Sequence, residues 1–167
     1  MQKKILNRTL ALSLVVFFGI PAQLSNAESS KNGLFPEEII SMKDLRAKQV
    51  QNEKFLLLDA RGKESYDAAH IPGAVLPLSE EYYKAEDLFR FGLVKEVPDR
   101  EKDLAATIQK YPKDTPIVTY CNDHCSASAV LALKIKQLGF TNVCAMDPGI
   151  QSWQEAGYPV ALPPKNS

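Results

Sequence analysis

Short, uninterrupted apolar runs recur along the chain and are separated by segments with amphipathic periodicity. Residues 55–60, "FLLLDA", form one such run, and "TPIVTYC" and "NVCAMD" form two more. A run without polar alternation is typical of a strand that is buried on both faces of a parallel sheet. "IPGAVLPL" predicts a Pro-Gly turn followed by a shorter strand, and "IISMKDLRAKQ" begins with a short apolar piece.

The segments between these runs predict helices. Ser41 is a candidate N-cap for the first of them. The others are "KESYDAAH", "SEEYYKAEDLFRFG", "DREKDLAATIQKYP", "SASAVLALKIKQLGF" and "PGIQSWQEAG". Because strands alternate with helices, the sequence predicts an α/β fold, a parallel central sheet with helices on both faces. Ligands of such sheets bind at the carboxyl ends of the strands.

The N-terminal residues 1–27 have the pattern of a secretory signal peptide. A basic start precedes the apolar run "LALSLVVFFGI", and small residues occupy positions 25 and 27 before the predicted cleavage. The run is shorter than the ~20 apolar residues that a membrane span needs. We therefore predict an exported protein, in the bacterial periplasm or secreted, with no membrane span after cleavage. After the signal peptide we predict a linker at 28–38, a domain at 39–160 and a tail at 161–167.

Charge gives no indication of a polyanionic partner. Lys3, Lys4 and Arg8 are the only charged residues of the leader, so their loss leaves 17 basic residues against 20 acidic ones, a net charge of −3. A chain with this balance has no basic excess to bind nucleic acid or an anionic membrane. The 140 residues that remain are enough for one domain with its own core.

The three cysteines are Cys121, Cys125 and Cys144. In an oxidising compartment an odd number leaves at least one thiol unpaired. Cys144 lies inside "NVCAM", which favours a core position. A metal site would need further ligands, for which only Asp123, His124 and the distant His70 are candidates, and the chain has no second Cys pair. We therefore predict no metal and no cofactor.

Cys121 and Cys125 lie in "YCNDHCSAS", between a predicted strand and a predicted helix. Free N–H groups and the helix dipole at such a turn stabilise an anion, so we expect a lowered pKa and a nucleophilic thiol at Cys121. The small residues Ser126, Ala127 and Ser128 let the backbone approach a ligand. Cys125 is a candidate resolving or redox partner, although the C-x-x-x-C spacing differs from the C-x-x-C of thioredoxin-like proteins.

Two separated segments carry a family resemblance. "DARGKESYDAAHIPGA" matches a motif of the rhodanese-like (sulfurtransferase) family, with Ala69 where Gly is usual. The segment from Tyr120 to Val160 matches a second motif, with "DPG" where "GG" is usual. The chain thus resembles this family from about residue 39 to 160. The resemblance implies a three-layer fold with about five parallel strands. It also implies that five motif residues shape turns and packing: Asp59, Arg61, His70, Gly73 and Trp153.

The resemblance further implies a mechanism. Cys121 would take the outer sulfur of a small-molecule donor such as thiosulfate and hold it as a persulfide. Six backbone amides would bind the persulfide anion, those of Asn122, Asp123, His124, Cys125, Ser126 and Ala127. An acceptor thiol, cyanide or a periplasmic thiol protein would then remove the sulfur.

The loop departs from the usual family pattern. Ala127 stands where Arg is usual, the loop is one residue longer, and its Gly is absent. A phosphatase or arsenate reductase of this fold needs that Arg to grip an oxyanion, so both activities are disfavoured. Two further hypotheses stay open, a thiol–disulfide redox protein that uses Cys121 and Cys125, and a non-catalytic binding domain.

Overall fold

Five short strands form one sheet in the computed structural model, which describes residues 33–163. They are β1 (Ile39–Ser41), β2 (Leu56–Asp59), β3 (Ala74–Val75), β4 (Ile117–Tyr120) and β5 (Val143–Asp147). Their order across the sheet is β1-β5-β4-β2-β3, and every neighbouring pair is parallel. The predicted signal peptide at 1–27 lies outside the described residues.

Six α-helices lie within residues 33–163; the first five connect the strands, and the sixth follows β5. They are α1 (Met42–Val50), α2 (Lys63–Ala68), α3 (Glu80–Arg90), α4 (Arg100–Ile108), α5 (Ala127–Gln137) and α6 (Ile150–Glu155). The side chains of Ser41, Ser79 and Asp99 accept hydrogen bonds from first-turn amides and so fix the starts of α1, α3 and α4. The predicted α/β fold with a parallel five-stranded sheet is confirmed. None of the helices within residues 33–163 is long and apolar enough to cross a membrane.

The sheet is buried on both faces, which explains the uninterrupted apolar runs. In β4, Ile117 packs into one cluster, whereas Val118 and Tyr120 pack into the other. The first cluster includes side chains of α3, α4 and α5, and the second includes side chains of α1 and α6. The central strand therefore has no solvent-facing side, and all four of its residues are buried.

Both ends of the described chain pack against this core. Leu34, in the predicted linker, is fully buried in the first cluster, and a short 3₁₀ helix follows at Pro36–Glu38. At the other end, Ala161 pairs with His70 through two backbone hydrogen bonds of 2.8 and 3.1 Å. Leu34 precedes and Ala161 follows the domain predicted at 39–160, so residues on both sides of the predicted bounds contact the folded domain.

Candidate active site

Cys121 directly follows the central strand β4, at the carboxyl edge of the sheet. Residues 121–126 form the loop that leads into α5, and we call this segment the thiol loop. The loop between β5 and α6 runs beside it, because the Ile150 amide donates a 2.9 Å hydrogen bond to the Cys121 carbonyl. The Cys121 side chain is only 2% exposed. The backbone of Cys121 thus lies beside the carboxyl ends of β4 and β5, as expected for a site on a parallel sheet.

The surroundings of the Cys121 sulfur favour its protonated form. Carbonyl oxygens of Asn122 and Cys125 lie 3.3 and 3.2 Å from Sγ, where they accept a hydrogen bond from the thiol. Burial raises the pKa of Cys121 to about 11, and contact with Cys125 adds to the increase. Hydrogen bonds with the Ser128 hydroxyl, 3.3 Å away, and with the Ser128 amide act in the opposite direction. The predicted lowering of this pKa is therefore wrong for this conformation of the loop.

Two of the six amides predicted to bind the persulfide are engaged elsewhere. The Asp123 amide donates to Gln151 Oε1 at 2.7 Å, and the Ala127 amide donates to Cys125 Sγ at 3.4 Å. Ser128, which lies just beyond the predicted set, contacts the Cys121 sulfur through both its amide and its hydroxyl. In the sequence, Ser128 was marked only by its place in a run of small residues. Such a run indicates that the backbone can approach a ligand closely, but it does not predict a hydrogen bond to the Cys121 sulfur.

The other two thiols have different environments. Cys125 is exposed, and Cys144 is half-buried against the second cluster, as its apolar neighbours predict. All three cysteines are free thiols. The described residues contain no group of three or more His, Cys, Asp or Glu side chains that would hold a metal ion.

Asp123 ties the thiol loop to α6. Its carboxylate accepts hydrogen bonds from the Ser152 amide at 3.1 and 3.2 Å, and also from the Ser152 hydroxyl. Gly149 permits this close approach, because a Cβ at that position would lie 2.3 Å from the carbonyl carbon of Asn122. His124 takes the left-handed backbone conformation, with φ of 56°, in a loop that has no glycine. Sequence reasoning missed the Asp123–Ser152 contact, since the two residues are far apart in the chain.

A buried polar network lies beneath the thiol loop. Arg61 and Asp59 form an ion pair with nitrogen–oxygen distances of 2.6 to 3.1 Å, and Asp59 is fully buried. The Tyr120 hydroxyl donates to Asp59 at 2.6 Å and accepts from the Ile71 amide at 3.2 Å. Burial and the Asp59 carboxylate raise the pKa of Tyr120, so this phenol stays protonated. The network joins the ends of β2 and β4 to residue 71 and holds the strand that carries Cys121.

The remaining motif residues also have structural environments. His70 stacks on Tyr66 with ring centroids 3.9 Å apart, and Gly73 adopts a φ of +83° in a turn. Trp153 is fully buried and donates from Nε1 to the Pro159 carbonyl at 2.8 Å. None of these three residues lines the cavity beside the thiol loop.

A cavity of about 900 Å³ opens beside the thiol loop. Its polar lining consists of Asn122, His124, Cys125, Ser126, Ser128 and Asp147. Apolar residues that include Ile39, Met146 and Pro148 complete it. Among residues 33–163, no Lys or Arg contributes to the lining. The cavity is large enough for a small ligand, and the described residues offer it hydroxyls, a thiol and a carboxylate but no Lys or Arg side chain.

Comparison with known proteins supports the family resemblance. The family model of the rhodanese-like domain matches residues 41–156. An HTH-type transcriptional regulator of Mycobacterium tuberculosis is 29% identical over 126 residues, which cover 75% of this chain but only 45% of that protein. The thiosulfate sulfurtransferase GlpE of Actinobacillus succinogenes is 24% identical over 111 residues, 66% of this chain and 79% of that protein.

Solved structures show the same fold. A Bacillus halodurans protein matches with a TM-score of 0.55 and 24% identity, over 74% of this chain and 76% of that one. A thiosulfate sulfurtransferase of Pseudomonas aeruginosa matches with a TM-score of 0.50 and 22% identity, over 75% of this chain and 20% of that one.

Proposed function

Because the chain belongs to the rhodanese-like domain family, we propose that it is a sulfurtransferase or sulfur carrier that works through a persulfide on Cys121. The Cys121 thiolate attacks the outer sulfur of thiosulfate, the sulfur–sulfur bond of the donor breaks, and sulfite leaves with the bonding electron pair. A thiol or cyanide then attacks the outer sulfur of the persulfide and regenerates Cys121.

The observation that carries this proposal is the position of the Cys121 sulfur. It lies at the end of the central strand and contacts the amide and hydroxyl of Ser128, in the first turn of α5. Donors at a helix start stabilise negative charge on sulfur, and the adjacent cavity gives room for a donor molecule. A buried cysteine with a purely structural role would need neither feature.

The relatives support a sulfur-transfer activity over a purely binding role. One of the matched proteins is a thiosulfate sulfurtransferase. The family also includes non-catalytic members, but this chain has a cysteine at the position where the family mechanism needs its nucleophile. We also propose that the protein acts after export, as the predicted signal peptide indicates, with small thiols or the thiol of a periplasmic protein as acceptors.

The proposal is tested by sulfur transfer from thiosulfate to excess cyanide, followed as thiocyanate formation in the presence of a thiol reductant that keeps Cys121 and Cys125 reduced. We expect activity in the wild-type protein and in Cys144→Ser, because Cys144 packs away from the thiol loop. Cys121→Ser should form no thiocyanate above the uncatalysed rate. Equal activity of Cys121→Ser and the wild-type protein would refute the proposal.

A further inference from the structure

Both thiols of the thiol loop converge on the first turn of α5. The Ala127 amide donates to Cys125 Sγ at 3.4 Å, and the next residue, Ser128, contacts Cys121 Sγ with its hydroxyl at 3.3 Å and with its amide. The Cys125 carbonyl lies 3.2 Å from Cys121 Sγ. Since consecutive residues of one turn contact the two sulfurs, Cys121 and Cys125 are neighbours at the same helix start.

The start of α5 leaves these donors available to sulfur. Its N-cap, Ser126, makes no side-chain hydrogen bond to the first turn, and that turn contains no acidic residue. Elsewhere in the domain Ser41, Ser79 and Asp99 satisfy the corresponding amides of their helices. At α5 the thiols occupy the place that a capping side chain takes in α1, α3 and α4.

The two thiols differ in access to solvent. Cys125 is exposed and lines the cavity, whereas Cys121 is buried beneath the loop. Cys121 does not itself line the cavity, so a persulfide there is poorly accessible to an acceptor from solution, whereas Cys125 contacts the same helix turn as Cys121. An intramolecular thiol of this kind has a large advantage in effective concentration over a free acceptor.

We propose that Cys125 is a resolving thiol that discharges the Cys121 persulfide as hydrogen sulfide and leaves a Cys121–Cys125 disulfide. This inference rests on the proposed function, because it needs the persulfide to form first. The Cys125 thiolate attacks the inner sulfur, Cys121 Sγ, and forms a new sulfur–sulfur bond. The bond from Cys121 Sγ to the outer sulfur breaks, and the outer sulfur leaves with the electron pair as hydrosulfide.

This step needs no outside oxidant. The outer sulfur is reduced to sulfide while the two cysteine sulfurs are oxidised to a disulfide, and the proton lost by Cys125 goes to solvent or to the departing hydrosulfide. The cycle closes when a thiol reductant, either a dithiol or two monothiols, reduces the disulfide and is itself oxidised. The further activity is therefore the release of donor sulfur as sulfide at the cost of thiol oxidation.

Thiosulfate separates the two half-reactions, because it yields sulfite when Cys121 takes its sulfur and yields sulfide only when the persulfide is resolved. Reduced protein is freed of reductant, mixed anaerobically with excess thiosulfate and no acceptor, and assayed for both products. The wild-type protein should release sulfite and sulfide in equal amounts and end as a Cys121–Cys125 disulfide. Cys144→Ser, the matched control, should behave like the wild-type protein.

Cys125→Ser should release sulfite, hold the added sulfur on Cys121 and lose sulfide release, with a fall of at least about tenfold in rate. Sulfite without sulfide from the wild-type protein would overturn the resolving role and leave the proposed function intact. Transfer of the added sulfur to Cys125 without sulfide release would also overturn it. Absence of sulfite from both proteins would contradict the proposed function, and the inference with it.

Discussion

Burial and the hydrogen bonds around Cys121 Sγ together decide how reactive this thiol is. Two carbonyl oxygens face it and favour the thiol, while Ser128 supplies the hydrogen bonds that favour the thiolate. Since only the thiolate is nucleophilic, the Ser128 contacts increase the reactive fraction of Cys121 that burial decreases.

Replacing Ser128 by alanine should therefore raise the pKa of Cys121 above its wild-type value, which burial holds at about 11. A thiol with a higher pKa needs a higher pH to ionise, so the midpoint moves upward and persulfide formation slows at every pH below it. NMR titration of ¹³Cβ-labelled cysteine measures this midpoint directly. Ser126→Ala is the control, because the exposed Ser126 side chain makes no capping hydrogen bond. Identical midpoints in Ser128→Ala and the wild-type protein would show that the hydroxyl has no such role.

The position of Cys121 was predictable from the sequence, but the polarity of its surroundings was not. An apolar run that ends in a cysteine before a helix indicates a strand-end thiol. Whether amides or carbonyls turn toward that thiol depends on individual backbone angles, such as the positive φ of His124. His can adopt the left-handed backbone conformation as well as the common right-handed and extended ones, so the local sequence does not decide which of them residue 124 takes.

At the scale of elements, the thiol loop is held from the side by α6 and from below by the β2–β4 network. The Asp123 carboxylate accepts two hydrogen bonds from Ser152, and the backbone of the β5–α6 loop meets that of the thiol loop at Gly149. Both supports come from distant parts of the chain.

Asp123→Ala should release the thiol loop from α6. Removing an acceptor that satisfies an amide and a hydroxyl lowers the free energy of unfolding by about 1–3 kcal/mol. Amide hydrogen exchange at Ser152 should become faster than in the wild-type protein, and persulfide formation should slow. Asp114→Ala, at an exposed acid in the loop before β4, should alter neither exchange nor activity. Unchanged exchange at Ser152 in Asp123→Ala would contradict the role assigned to this contact.

Asp59→Asn tests the support beneath the loop. It leaves Arg61 charged and buried without its partner, which we expect to lower the free energy of unfolding by about 3–5 kcal/mol. Denaturant unfolding measures the change. Asp67→Asn removes the partner of Lys63 in an exposed pair on α2 and should have little effect. Similar losses in the two variants would mean that the buried network does not hold the strand ends together.

The positions of the strands and helices could be predicted from the sequence, because burial fixes the pattern of apolar residues within each element. A strand covered on both sides must be apolar throughout, so β2, β4 and β5 appear as continuous runs. The contacts that hold the thiol loop in place were harder to predict from the sequence. The motif match marked Asp59 and Arg61 as structural, but Tyr120 and Ser152 become partners of Asp59 and Asp123 only once the chain has folded.

Across the whole molecule, the charged side chains around the cavity affect which sulfur donor can bind there. The Asp147 carboxylate lies in the lining, and no Lys or Arg of residues 33–163 does. Thiosulfate carries two negative charges, so the Asp147 carboxylate repels it, and no Lys or Arg side chain of the described residues lies in the lining to offset that repulsion. A sulfur donor without net negative charge is not subject to this repulsion.

Removing the carboxylate should therefore favour thiosulfate. We expect Asp147→Asn to raise kcat/KM for thiosulfate several-fold, on the order of 1 kcal/mol for one close pair of charges in water. Added salt should reduce the difference, since it screens the repulsion. Glu155→Gln, an exposed acid on α6 outside the cavity, is the control. Equal kcat/KM values for Asp147→Asn and the wild-type protein at low salt would show that this charge does not select the donor.

Transfer of sulfur to Cys121 can be observed by peptide mass mapping of the Cys125→Ser protein after reaction with thiosulfate. In this variant we expect the persulfide to persist, because the resolving thiol is absent. The peptide that contains Cys121 should gain the mass of one sulfur atom and lose it on treatment with a thiol reductant. An unchanged Cys121 peptide, or added sulfur on Cys144 alone, would contradict the account.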